Sequence, residues 1–404
     1  MIRIFKFISA FLGVALLVFL MIYGFNQTSF DTLLENREGF AEGSEWVEKT
    51  YSLRGLTDYI AEHPDRVSIA SIIVEEPDSS LFFEEEIPRA MGTIANFFLL
   101  IGYADAFETG ELNPDERIQW DSITRYQIPQ VGESVHREAY RYGQRNGLLD
   151  DQDSITVKNA LKLLTRHHSL ALSDFLLFHL GEERIRDLYH RLELQKTEQP
   201  LPFSGILTTL SPVIQGLQVD SLLQRWSENP RDQFEQSALD NSKRFSNGSE
   251  RQEWMEAFNS QRLGLNFMRE RDLLDYFPKT TANEMVQLLL KLNNRELISE
   301  EVSDYVHHLI QYPQEESSIS RNFSSYAALY DNRVGLLNGI DIGTSVYTGN
   351  TTVQAVFFDQ MQIAVWFHMS SNHMHQDFQQ RLIWDPALIE RMNQVVNRVT
   401  REHS

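Results

Sequence analysis

Residues 93–107 constrain the fold more than any other stretch. Thr93-Ile94-Ala95-Asn96-Phe97-Phe98-Leu99-Leu100-Ile101 opens a run that is apolar nearly all round. A helix of that kind belongs in the middle of a protein, not on its surface. Pro88-Arg89-Ala90-Met91-Gly92 brings the chain to it, and Gly110 lies just past its last turn, where a C-terminal glycine belongs. The predicted helix runs from about Thr93 to Phe107. Two polar side chains, Thr93 and Asn96, stand at its first turn, so any chemistry tied to this element is expected there.

Around it, the pattern alternates between strand and helix signals. Ser44 to Glu62 has an apolar helical stripe of Trp46, Val47, Leu53, Leu56 and Ile60. Arg66 to Glu75 is β-branched and Leu81 to Glu85 follows a turn at Pro77-Asp78-Ser79-Ser80, which predicts an antiparallel hairpin. Helices are predicted from Ile155-Thr156-Val157, over Ser173 to Leu180, from Thr280-Thr281-Ala282 with a threonine N-cap, and from about Glu300 to Ile310. Residues 217–276 are helical but charged, with poor periodicity. Val353 to Phe358 and Met361 to Phe367 flank Asp359-Gln360 and predict a second hairpin. A neighbouring strand is expected within Tyr330 to Tyr347. A last helix, Asp385 to Arg401, has Pro386 at its first position. The strands lie at the two ends of the sequence and must meet in one antiparallel sheet. The expected fold is α+β, with helices covering both faces and a helical region inserted over about 93–312.

Charge and composition narrow the partners. The 404 residues carry a formal net charge of -21, which argues against nucleic acid, because phosphate binding needs clustered Lys and Arg. There is no cysteine, so thiolate catalysis, disulfides and Cys-based zinc sites are excluded. Phe7 to Phe25 is an uncharged apolar run, preceded by Arg3 and Lys6 and followed by Asp31, Glu35, Glu38, Glu42 and Glu45. Its length suits a bilayer of about 30 Å, and the positive-inside rule places the N-terminus in the cytoplasm and the rest outside. The run is long for a cleaved signal peptide and lacks a small-x-small cleavage site, which favours an uncleaved anchor. The expected layout is an anchor over 1–25, held in the inner membrane through residues 7–25. A tether follows over 26–43, then an extracytoplasmic domain over 44–404.

Several pieces, taken in order, resemble the serine β-lactamase and penicillin-recognising hydrolase family, closest to the class A β-lactamases. Ile87-Pro88-Arg89-Ala90-Met91-Gly92-Thr93 is similar to the approach to that family's nucleophile. Gly110-Glu111-Leu112 with Asp115 is similar to the turn after its central helix. Ile155-Thr156-Val157-Lys158-Asn159-Ala160-Leu161 and Ser173-Asp174-Phe175-Leu176-Leu177 are similar to its next core helices, and Thr280-Thr281-Ala282 and Leu297-Ile298-Ser299 to later ones. The resemblance covers about residues 44 to 402. It implies a β-lactamase-like fold and a serine hydrolase chemistry built on three motifs. Here all three depart from the pattern. Where Ser-x-x-Lys is expected, the chain has Thr93-Ile94-Ala95-Asn96, and no Ser-x-x-Lys occurs anywhere. Asn96 cannot take a proton at neutral pH. Where Ser-Asp-Asn is expected stands His168-Ser169-Leu170, with Ser169 first if the register slips by one. Where Lys-Thr-Gly is expected stands Arg333-Val334-Gly335. Arg333 keeps a cation able to pair with a carboxylate, and Gly335 keeps the glycine. The family's deacylating glutamate falls near Glu193 or Glu198.

Other residues offer weaker chemistry. His168 is a candidate replacement base for Thr93. His368, His373 and His375 lie close in sequence and could bind a divalent metal, but a His-rich loop explains them more simply. No phosphate-binding glycine loop or Gly-x-Ser-x-Gly elbow is present, and no cofactor is expected. Two functions follow. One is a catalytically impaired, membrane-anchored module that binds a cell-wall peptide or an envelope protein. The other is an active, divergent hydrolase of β-lactams or D-Ala-D-Ala-like amides. Loss of nucleophile and base together favours the first.

Overall fold

The computed structural model describes residues 34–314 and 321–402. The apolar run Phe7 to Phe25 lies outside them, and among the described residues no helix is long and apolar enough to cross a membrane.

Strands from both ends of the chain form one five-stranded antiparallel sheet. β1 (Val67–Ile73) and β2 (Leu81–Phe83) make the N-terminal hairpin, and β3 (Phe323–Asp331), β4 (Leu337–Ser345) and β5 (Thr351–Phe358) form a C-terminal meander. The order across the sheet is β2-β1-β5-β4-β3. The two ends of the sequence meet where β1 pairs with β5, with Ile69 opposite Val356 and Ile73 opposite Thr352. Alternation then sends side chains to two cores. Val353, Ala355 and Phe357 join Ile340, Ile342, Ala327 and Leu329 in one, while Val356 and Phe358 join Val67 and Ile69 in the other.

Helices close both faces. The second core is covered by α1 (Leu53–Glu62) together with a C-terminal group of three helices. Ser52 caps α1 by accepting a hydrogen bond from the Gly55 amide at 3.0 Å. The first core is built on the central helix α2 (Asn96–Glu108), which follows a 3₁₀ turn at Gly92–Ala95. From Asn96 to Ala104 all its residues are buried. Each fully buried Phe or Leu there contributes about 1.5–3 kcal/mol, which is why this run has to be central. α3 (Val157–His167) and α4 (Leu170–Leu180) pack beside it, capped by Thr156 and Ser169. The charged stretch before the C-terminal strands folds into a helical layer with its own apolar cluster, which includes α5 (Phe203–Leu210). The short helix α6 (Phe267–Asp272) follows. α7 (Ala282–Asn293), capped by Thr281, and α8 (Glu300–Gln311) lie against the sheet. α9 (Ile363–Ser371), α10 (Met374–Trp384) and α11 (Pro386–Glu402) complete the chain.

Two expectations are corrected. Met361 to Phe367 does not return as a strand; α9 starts there, and Asp359-Gln360 is no hairpin turn. A short apolar run fits a buried strand and a buried helix equally well, and here Ile363, Ala364, Val365, His368 and Met369 form the buried side of a helix. The meander gains its third strand from Phe323–Asp331 instead. The described part of the expected tether is also more ordered than a tether. Residues Arg37–Ala41 are helical. The Phe40 ring packs edge-on against Phe267 and Phe367, and Glu42 pairs with Arg271 at 2.6 Å. These contacts strap the chain onto α6.

Candidate functional site

The approach to α2 is held from three directions. The Met91 amide donates to the Pro278 carbonyl at 2.9 Å. Asn338 of β4 donates from Nδ2 to the Ala90 carbonyl at 2.7 Å, and the Asp359 carboxylate accepts from the Ala90 amide at 3.3 Å. Gly92 sits at φ +56°, and a Cβ there would lie 1.8 Å from Asp331 Oδ2. Only glycine lets this carboxylate approach the turn. Asp331 uses the approach to accept a hydrogen bond from the Thr93 amide at 2.6 Å.

Thr93 is 2% exposed, and its hydroxyl has no hydrogen-bond partner. Asn96, equally buried, accepts from the Ser173 hydroxyl at 2.5 Å, and its Nδ2 is unpartnered. Thr93 lines a cavity of about 310 Å³ whose walls include His168, Arg333, Asp331, Glu270 and Arg262. Val131, Val135, Leu170, Val334 and Trp366 supply apolar surface. The structure thus brings Thr93, His168 and Arg333 together, along with groups from distant segments.

His168 caps α3 in the left-handed region, at φ +52°. Its Nδ1 is buried without a partner, and burial lowers its pKa against the opposing pull of Asp331. A neutral imidazole is the form able to accept a proton, but no hydrogen bond joins it to Thr93. Arg333 lies over the faces of Phe203 and Phe277, 5.0 and 5.4 Å from their centroids, with its Nε unpartnered. Stacking of this kind holds a guanidinium in place while leaving its edge donors free.

Ser169, Gly335 and the two expected glutamates serve elsewhere. The Ser169 hydroxyl caps α4 and lies 2.9 Å from His136 Nδ1. It does not line the cavity, so only the gapless register puts a side chain of this segment, His168, into the site. Gly335 is a turn residue at φ +76°, where a Cβ would meet Arg271 Cγ at 2.5 Å. Glu193 ends a helix in the left-handed region. Glu198 pairs with Arg231 at 2.8 Å and accepts from the Lys279 amide, facing a different cavity. The glutamate that does reach Thr93's cavity is Glu270 on α6. It pairs with Arg262 at 3.1 Å, and burial raises its pKa while Arg262 and Arg333 pull it down.

Sequence reasoning missed Asp331, Glu270 and Arg262. It also missed Asp174, whose buried carboxylate accepts from the Phe203 and Ser204 amides at 2.6 and 2.7 Å and so caps α5. Arg262 carries one available signal only in the structure: φ +53° with ψ -132°, a backbone conformation that a non-glycine residue holds at a cost of about 1–3 kcal/mol. The three histidines near the C-terminus are dispersed differently from a loop. His368 lies on α9 beneath Tyr51, with ring centroids 4.0 Å apart, His373 precedes α10, and His375 is buried on it. Among the described residues, no group of three or more His, Cys, Asp or Glu is placed to hold a metal ion.

Comparison with family models found no match, and comparison with curated proteins found none. Solved structures do match. The β-lactamase from Sphaerobacter thermophilus DSM 20745 has a TM-score of 0.51 and 12% identity, over 83% of this chain and 98% of that one. A β-lactamase from Chitinophaga pinensis DSM 2588 has a TM-score of 0.49 and 13% identity, over 83% and 99%. PBP-A has a TM-score of 0.45 and 11% identity, over 80% and 96%. At such identity the first of these likenesses shows the fold alone: the chain has an α+β fold like that of the Sphaerobacter β-lactamase.

Proposed function

We propose that this protein is a membrane-anchored, extracytoplasmic binding module on a β-lactamase-like scaffold, impaired in acyl transfer, that recognises a cell-wall peptide or an envelope partner. One observation carries the reading: the Thr93 amide is occupied by the Asp331 carboxylate. Acyl transfer develops negative charge on the attacked carbonyl oxygen, and backbone N–H groups at the nucleophile ordinarily stabilise it. An anionic carboxylate on that amide competes for the donor and repels the developing charge. The unpartnered Thr93 hydroxyl and the presence of Asn96 in place of a base point the same way. The cavity and its two guanidiniums remain suited to holding a ligand. The anchor and the outside location rest on the apolar run and its flanking charges.

A second reading, a divergent hydrolase of β-lactams or D-Ala-D-Ala-like amides, is favoured by the presence of His168 and Glu270 in the cavity of Thr93. Hydrolysis of a chromogenic cephalosporin by the wild type and by Thr93→Ala separates the two. The binding reading expects indistinguishable rates. A wild-type rate ~100-fold above the variant would support the hydrolase, since nucleophile and base act as a unit worth several orders of magnitude. Protease accessibility of the domain in spheroplasts tests the location.

A further inference from the structure

The charged side chains lining the Thr93 cavity are of both signs. Arg333 and Arg262 supply two cations, and Glu270 and Asp331 two anions. Asp331 is committed to the Thr93 amide. Arg333 has no ion-pair partner within 4 Å among the described residues, and its Nε is buried and unpartnered, as are the Thr93 hydroxyl and His168 Nδ1. Buried donors of this kind, left unmatched, cost free energy that a bound acceptor recovers. Glu270 is engaged by Arg262 alone, and a carboxylate has about four acceptor sites. Arg333 and Glu270 each feel the other's charge. An anionic subsite and a cationic subsite therefore lie side by side, bordered by Trp366, Leu170, Val131, Val135 and Val334.

We infer that the cavity binds a zwitterion, specifically a free α-amino acid with an apolar side chain. Its carboxylate meets Arg333, with the Thr93 hydroxyl and His168 as neighbouring groups. Its ammonium meets Glu270, and its side chain lies on the apolar wall. A volume of about 310 Å³ suits a ligand of that size and is at the small end for a binding cavity. A purely anionic ligand would leave Glu270 facing it, and a purely cationic one would face two guanidiniums. Burial raises the pKa of Glu270, and an entering ammonium would oppose that, favouring its ionised form. This assignment rests on the reading of the same site as one that binds a ligand without acyl transfer, and it puts a free amino acid where that reading put a cell-wall peptide or an envelope partner.

Calorimetric titration of the full-length protein in detergent tests it, with L- and D-phenylalanine, N-acetylphenylalanine and phenylalaninamide as probes. One free enantiomer is expected to bind, and blocking either charged end is expected to weaken binding at least ~10-fold, the equivalent of one lost charge-assisted hydrogen bond. Glu270→Gln should erase the preference for the free amine over the N-acetyl form, a readout that a merely structural role would not move. The inference is overturned if N-acetylphenylalanine binds as tightly as phenylalanine. It is equally overturned if neither free enantiomer binds at ~10 mM, a concentration that detects even millimolar affinity. Covalent modification of Thr93 by a penicillin would instead overturn the binding reading on which it rests.

Discussion

Gly92→Ala probes the turn on which the site depends. The position has φ +56°, and the new Cβ would lie 1.8 Å from Asp331 Oδ2 and 2.5 Å from Leu336 Cδ2. A left-handed conformation costs an L-residue about 1–2 kcal/mol. The carboxylate must also leave, which breaks its bond to the Thr93 amide. A hydrogen bond to a charged group is worth about 1.5–3 kcal/mol. Together the loss is about 2.5–5 kcal/mol, measured by urea denaturation followed through the tryptophans. A double-mutant cycle with Asp331→Ala separates the contributions. The carboxylate bond can be lost only once, so the double variant should be about 1.5–3 kcal/mol more stable than the sum of the singles. Strict additivity, or a Gly92→Ala cost below about 1 kcal/mol, would refute the role assigned to Asp331.

Two further outcomes are expected. Burial holds His136 and His167 down at about 4 and His375 at about 3, below the ordinary 6.5. The unfolded chain then binds more protons than the folded one between those values, so their contribution is full above pH 6.5 and is lost as pH falls towards 4 for His136 and His167 and towards 3 for His375. His136→Gln, which removes one such group from between Ser169 and Thr124, should flatten the stability–pH slope in that window by up to about 1.4 kcal/mol per pH unit, read from denaturation midpoints. Asp174→Ala strips the acceptor from the Phe203 and Ser204 amides. At about 1–3 kcal/mol for each orphaned group, it should destabilise the α5 layer by about 2–6 kcal/mol and abolish hydrogen-exchange protection at both amides.

The fold was legible where local pattern and global packing agreed. The run after Thr93 has no polar face, so it had to be central. β1 and β2 are bounded by turn residues, and the Thr281 cap is signalled by its own hydroxyl and the acid that follows. Met361 to Phe367 failed because a seven-residue run that is apolar except at Gln362 carries no period that separates strand from helix. The meander strand Phe323–Asp331 went unread because its polar and apolar residues do not alternate cleanly: Tyr326 to Leu329 are buried in succession. The site was half legible. Thr93, Asn96, His168 and Arg333 were reached through the family resemblance read in the sequence. Asp331, Arg262 and Glu270 come from segments some 170–240 residues from Thr93, and nothing local distinguishes Glu270 in the charged run Arg269-Glu270-Arg271-Asp272. Their meaning comes from burial and from shared access to one cavity, which only the tertiary structure supplies.

In the proposed function, Thr93 stands in a nucleophile's place without a nucleophile's surroundings. Intact-protein mass spectrometry after incubation with benzylpenicillin addresses it most directly. The wild type is expected to keep its unmodified mass, as Thr93→Ala does. A penicilloyl adduct on the wild type, mapped to Thr93 and absent from the variant, would contradict it.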